Sequence, residues 1–219
     1  MTDPISLAVS VLALGVSATT AWLTLFRRGT VRMTQPTVIY FGPDKPVLGS
    51  TAPAKVYLRT LLFSTSKRGR IVESMHVSIA RSESHQNFNI WVHGSSSDGE
   101  LIRGSGLFVG ETGVATDHHF LTPDDGNDFR FCAGNYRLTV YARLLGDTAA
   151  LVLFTQQLEV TNDLAAQLGN PGAGLYFDWG PDSSRYLPHV AYRAPQLPEL
   201  LAQAIASRHS NMRAPPPTY

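Results

Sequence analysis

Apolar and polar positions divide this chain into two unlike parts. Ile5 to Phe26 carries no ionisable side chain, and its polar members are Ser, Thr and Gly only. Twenty-two helical residues reach roughly 33 Å, enough to cross a hydrocarbon layer of about 30 Å. The hydroxyls within such a helix can bond its own carbonyls. Pro4 stands where a helix start accepts proline, and Trp22 stands near the far end, at interface depth. The pattern therefore predicts a transmembrane helix over residues 5–26, preceded by residues 1–4 and followed by a basic linker over residues 27–36.

After the linker, short apolar runs alternate with turn signals. Thr37 to Phe41 is β-branched and aromatic, and it ends in the breaker cluster Gly42 to Pro46. Lys55 to Phe63 follows, then the turn Ser64 to Gly69. In Arg70 to Arg81 the apolar face is Ile71, Met75, Val77 and Ile79, opposite Ser74, His76 and Ser78. His85 to Val92 alternates with Phe88, Ile90 and Val92 on one face and Asn87, Asn89 and Trp91 on the other. Glu100 to Val109 and Val114 to Leu121 read as strands. So do Tyr136 to Leu144 and Ala150 to Thr161, joined through Gly146-Asp147. Asn162 to Gly169 reads as a short helix capped by Asn162 or Asp163. Gly172 to Arg193 reads as a covering hairpin. Leu197, Leu200, Leu201, Ala204 and Ile205 recur at helical spacing, with Arg208 at the favourable end. A Pro-rich tail closes the chain.

Roughly eight short strands with little helix among them predict an all-β, antiparallel sandwich over residues 37–193. An amphipathic helix and tail follow over residues 194–219. Phe129 to Ala142 (FRFCAGNYRLTVYA) resembles the late-strand segment of immunoglobulin-like sandwiches. That resemblance implies that the Tyr136 hydroxyl bonds back to upstream backbone, with Leu138 and Val140 in the core. It speaks to fold and leaves function open. Three further segments, FRRGTVRMTQPTVIYFGPD (Phe26 to Asp44), TSKRGRIVESM and YFDWGPDSSRYLPHV, are similar to a family of uncharacterised bacterial single-span membrane proteins. This resemblance implies a bacterial, membrane-anchored protein. It transfers no catalytic residue.

Composition and charge narrow the function classes. Hydrophobic residues make up 43% of the 219 residues, too many for a disordered chain. A formal net charge of +1 argues against nucleic acid as a partner. The single cysteine excludes an internal disulfide framework and a multi-cysteine zinc site. The flanks of the apolar run are unequal, with Asp3 before it and Arg27, Arg28 and Arg32 after it. A cleaved signal peptide would have its basic residues first. The positive-inside bias places the arginines, and the domain behind them, in the cytoplasm with the N-terminus outside. Ser17 with Ala21 and Gly15 with Thr19 are small residues four apart, which would permit homo-oligomerisation through the helix.

Candidate chemistry is sparse. Asp117, His118 and His119 are the densest group of metal-ligand types, but neighbours on a strand face opposite ways, so only Asp117 and His119 could act together. His76, His85, His93, His189 and His209 are scattered. Cys132 lacks a Cys-His signature and reads as a core thiol. Gly104 to Gly113 ends in neither a phosphate loop nor a dinucleotide turn and reads as bulge and hairpin glycines. Asp124, Asp125 and Asp128 lack calcium-loop spacing. Two surfaces remain. Lys67, Arg68 and Arg70 form a basic turn that, with Arg27, Arg28 and Arg32, would suit anionic lipid headgroups if it lies near the membrane. Tyr176, Phe177, Trp179, Arg185 and Tyr186 form an aromatic segment rimmed by charge, suited to a protein partner. Its competing role is to cover the core. No catalytic residue, metal ligand or cofactor is assigned. The expected function is a non-enzymatic interaction or scaffold protein tethered to the cytoplasmic face of the inner membrane. The alternative is a membrane-tethered sensor of a small molecule or nucleotide. A third is a metal-dependent hydrolase using Asp117 and His119.

Overall fold

Pro4 opens the first element as its position promises. In the computed structural model, helix α1 (Pro4–Ala21) starts at Asp3, whose carboxylate accepts from the Ile5 amide at 3.1 Å. The structure describes residues 3–26, 28–44, 53–94, 101–123, 129–170 and 172–192. Helix α1 runs into a π-helical turn, Trp22–Phe26. Ser10, Thr19, Thr20 and Thr24 each donate to the carbonyl four residues back at 2.8 Å. These four hydroxyls are thus satisfied within the helix, and its apolar side chains are exposed. Pro4–Thr24 is long and apolar enough to cross a membrane, with mean hydropathy 1.7 and no part of it buried in the domain.

The rest of the described chain is mostly antiparallel β-structure in two sheets. The larger sheet contains β1 (Val31–Met33), β2 (Val38–Pro43), β3 (Ala54–Ser64), β6 (Ile90–Gly94), β7 (Leu101–Arg103), β9 (Val114–Leu121), β12 (Ala173–Gly180) and β13 (Arg185–Tyr192). Its order is β13-β12-β2-β3-β9-β6-β7, with β1 paired to the far end of β3. The smaller sheet contains β4 (Arg70–Arg81), β5 (Ser84–Phe88), β8 (Leu107–Val109), β10 (Gly134–Leu144) and β11 (Leu151–Val160), in the order β11-β10-β4-β5, with β8 beside β4. One hydrophobic core joins their inner faces. Ile39, Phe41, Val56, Leu58 and Phe120 come from the larger sheet, and Val77, Ile79, Leu138 and Val140 from the smaller. A short helix α2 (Asn162–Leu168) follows β11. Its cap is Thr161, one residue before the expected Asn162, with the hydroxyl accepting from Leu164 at 3.4 Å.

The expected strands at 114–121, 136–144 and 150–161 are present almost as read. Three others change. Ile71 is exposed and Val72 buried, because β4 pairs with β10 through a register shift between Arg143 and Leu144. Glu73 and Ser74 both face outward there, so the alternation inverts. The run His85 to Val92 breaks at Asn89, where the chain passes from one sheet to the other. As a result Phe88 and Trp91 are both buried, while Ile90 and Val92 turn outward. The expected strand Glu100 to Val109 is likewise split at Gly104 between the two sheets. Cys132 is exposed, in the corner before β10, where a buried thiol was expected. The helix expected over 197–205 and the tail lie outside the described residues, as do Arg27 and the acidic loop Asp124, Asp125 and Asp128.

Candidate functional site: an aromatic row on the outer face of the larger sheet

Within the expected hairpin segment, Ala173 to Tyr192 forms the hairpin β12–β13, and strand alternation divides its aromatics between two faces. Phe177 is 1% exposed and belongs to the core, so it presents no surface to a partner. Trp179 and Tyr186 meet edge to face at 5.2 Å. The Tyr186 hydroxyl donates to the Pro36 carbonyl at 2.8 Å and meets the Gln35 amide at 3.0 Å. These contacts tie the hairpin to the linker before β2, and burial pushes the Tyr186 phenol well above its usual range. Arg185 is exposed at the start of β13. Of the five predicted partner residues, Tyr176 alone among the aromatics lies on the outer face with other rings around it.

Register places those rings. His189 pairs with Tyr176, Tyr176 with Tyr40, Tyr40 with Tyr57, and Tyr57 with His119. Paired residues on neighbouring strands point to the same face, so these five side chains form one row across β13, β12, β2, β3 and β9. The His189 and Tyr176 rings stack at 5.4 Å, Tyr176 and Tyr40 lie at 4.9 Å, and Tyr57 and His119 at 4.9 Å. Gly42 and Gly174 allow Tyr40 to lie along the sheet, because a Cβ on either would collide with its ring. The Tyr40 hydroxyl then donates to the Pro43 carbonyl at 3.0 Å.

Charges flank the row. Asp117 accepts from the Tyr57 hydroxyl at 2.9 Å and lies 3.8 Å from Arg59. Burial, reinforced by Asp117, raises the Tyr57 phenol so that it stays protonated as a donor. Asp178 lies 3.3 Å from His189. Lys55 bonds Asp44 at 2.9 Å and lies 5.9 Å from the centre of the Tyr40 ring. The result is a broad aromatic surface with polar tips and both charge signs at its margin.

The other predicted sites are placed differently. Asp117 and His119 do share a face, but no group of three or more His, Cys, Asp or Glu able to hold a metal occurs among the described residues. His118 points the opposite way, fully buried, and accepts from the Trp91 indole N–H at 3.1 Å. Sequence reading missed a cross-strand pair, Ser78 Oγ to His85 Nε2 at 2.6 Å. Among the described residues no carboxylate bonds His85, so the pair lacks the orienting member of a hydrolytic triad. A groove of about 240 Å³ beside Arg81, His85, Arg130 and Tyr136 is smaller than the roughly 300–1,000 Å³ usual for small-molecule sites. Of the predicted headgroup residues, Arg70 bonds Asp147 at 2.9 Å, and the side chains of Arg28, Arg32, Lys67 and Arg68 are exposed. No protein-family model, curated protein or solved structure matches the chain.

Proposed function

We propose that this chain is a membrane-anchored, non-enzymatic interaction protein. It displays a rigid sandwich at the cytoplasmic face of a bacterial inner membrane and binds a protein partner through the outer face of the larger sheet. The observation that carries this reading is the row His189–Tyr176–Tyr40–Tyr57–His119. Rings with polar tips supply large contact area at low conformational cost, and such residues dominate binding energy at protein interfaces. The sandwich itself is read as immunoglobulin-like. Taking β2, β3, β4, β5, β6, β9, β10 and β11 as successive strands A to G with an added C′, the orders A-B-E-D and G-F-C-C′ correspond to the two sheets of that fold. The Tyr136 hydroxyl bonds both backbone groups of Cys132, as the tyrosine corner of that fold does. Leu138 stands where antibody domains carry the second cysteine of the intersheet disulfide.

Affinity capture with the detergent-solubilised full chain tests the binding reading. Tyr176→Ala is expected to weaken a captured partner at least tenfold, because central aromatic anchors commonly contribute 2 kcal/mol or more. Capture of the same partners at equal strength by Tyr176→Ala and by a Tyr40→Ala, Tyr57→Ala double variant would remove the aromatic row as the site. Orientation has its own test. A reporter fused after Tyr219 is expected to be active only in the cytoplasm, since Arg27, Arg28 and Arg32 follow the apolar run. Activity of an export-dependent reporter at that position would reverse the topology.

A further inference from the structure

The residues just after the helix are stitched to one particular turn of the sandwich. The Thr30 amide donates to Thr65 Oγ1 at 2.9 Å, and the Thr65 amide donates to the Thr30 carbonyl at 2.9 Å. Ser66 Oγ donates to the Arg28 carbonyl at 3.1 Å, and the Arg70 guanidinium donates to the Gly29 carbonyl at 3.2 Å. Gly29 has φ +60°, and a Cβ there would lie 2.6 Å from Ser66 Cβ. Glycine is what lets the chain lie this close to the turn. Arg28 is two residues beyond Phe26, the last residue of the π-helical turn, so their Cα atoms are within about 7.6 Å of each other. Chain connectivity alone therefore puts the β3–β4 turn, with exposed Lys67 and Arg68, beside the end of the apolar helix.

The same end of the domain exposes large apolar side chains. Phe108 on β8 is 62% exposed and pairs with Ile71 on β4. The Leu145 amide donates to the Ile71 carbonyl at 2.9 Å, which brings exposed Leu145 alongside. Gly69, within the basic turn, is packed against the Phe108 ring at a separation a Cβ would close to 2.5 Å. Phe108, Ile71 and Leu145 thus form one short row bordering Lys67 and Arg68. Among the described residues, the acidic groups near this end are Asp147, bonded to Arg70, Glu111 on the turn between β8 and β9, and exposed Glu73, two residues beyond Ile71 on β4 and 3.7 Å from Arg143.

We infer that this end of the sandwich is a docking face for the anionic phospholipid surface of the membrane that its own helix crosses. Phe108, Ile71 and Leu145 enter the interfacial layer, and Lys67, Arg68 and Arg28 meet lipid phosphates. The inference rests on the reading of Pro4–Thr24 as a span. The helix supplies the lipid surface within reach, the short clamped linker fixes which end of the domain meets it, and the basic residues match its sign. Docking of this end holds the aromatic row on the sheet flank at a constant attitude to the membrane. Each basic residue near an anionic surface shifts the docking equilibrium constant by roughly fivefold.

The test uses the full chain in lipid nanodiscs. Cys132→Ser removes the native thiol, and Leu145→Cys carries an environment-sensitive fluorophore. In discs containing phosphatidylserine, emission is expected to shift to the blue and quenching by aqueous iodide to fall severalfold relative to phosphatidylcholine discs. Lys67→Gln with Arg68→Gln, and separately Phe108→Ser, should each restore quenching. These positions are exposed, so the fold tolerates them. Equal iodide access in both lipids, with protein that survives alkaline extraction of the membrane, would overturn docking while leaving the span intact. Protection that is equal in both lipids and indifferent to Lys67→Gln with Arg68→Gln would also overturn it. Release of the protein by alkaline extraction would instead remove the span, and the docking inference with it.

Discussion

Between pH 6.5 and pH 3 the folded domain is expected to lose on the order of 5 kcal/mol of stability through one side chain, His118. The ring is fully buried, and burial holds its pKa down to about 3. Positive charge on His93 and His119 would oppose its protonation, and Asp117 favours protonation more weakly than burial opposes it. In the unfolded chain the imidazole titrates near 6.5. Above pH 6.5 neither state binds the proton, and the group adds no pH dependence. Below it the unfolded chain binds a proton that the native state refuses, so stability falls as pH falls, by about a tenfold change in folding equilibrium per pH unit, until the native ring itself protonates near pH 3. Burial also lowers His76 and His93, which adds to the same slope. Chemical denaturation of the detergent-solubilised chain at stepped pH measures it. His118→Phe keeps an aromatic of similar size and removes the titration, and it should flatten the acid limb. At pH 8 two effects offset each other in that variant. It strands the Trp91 N–H, and it removes the buried His118 Nε2, which has no hydrogen-bond partner among the described residues. A wild-type profile that is level from pH 6.5 to 4, or an unchanged slope in His118→Phe, would refute this account.

Local patterns were legible in the sequence, and patterns that depend on pairing were not. Val114 to Leu121, read as a strand after the turn ending at Gly113, is β9. Asn162 to Leu168 is a helix with its cap shifted by one residue. The hydroxyls of Ser10, Thr19, Thr20 and Thr24 bond to carbonyls of their own helix, as hydroxyls in an apolar helix are expected to do. The alternation of β4 misled at Ile71 because a bulge is a property of two strands, and β10 lies more than sixty residues away. The break at Asn89 was hidden for a similar reason. A strand that changes sheets keeps its β-forming residues and inverts only which of them face the core. The aromatic row has no sequence signature at all. Its members sit on five strands between residues 40 and 189, and Tyr40, Tyr57, His119 and Tyr176 are each flanked by buried residues. What the sequence did offer was Tyr176, and it could not separate that ring from Phe177 beside it. The clamp at Arg28 to Thr30 was equally silent, since Thr65, Ser66 and Gly69 look like any polar turn until their partners are known.

Tyr136→Phe is expected to destabilise the domain by about 2–3 kcal/mol, although it removes a single oxygen atom. That oxygen accepts from the Cys132 amide at 2.9 Å and donates to the Cys132 carbonyl at 2.7 Å, so it serves both polar groups of one residue in the chain entering β10. The ring itself is 1% exposed and held by Phe41 at 5.8 Å, with Arg81 over its face at 5.9 Å. Phenylalanine retains those contacts, so the cost isolates the two hydrogen bonds. Each contributes about 1 kcal/mol net, and a part-buried backbone group left without its partner adds to the loss. For a domain of this size the expected fall in Tm is about 5–10 °C. Cys132→Ala serves as the control. The Cys132 thiol is exposed and the bonds run through its backbone, so that variant should melt within about a degree of wild type. A Tyr136→Phe variant that melts with wild type would mean that the corner is closed by the Phe131 stack on Phe41 at 4.7 Å, with the hydroxyl incidental. If Cys132→Ala alone were destabilised, the thiol would be the group that matters. The expected ordering, Tyr136→Phe well below Cys132→Ala, holds only if one phenolic oxygen pins the crossing between the sheets.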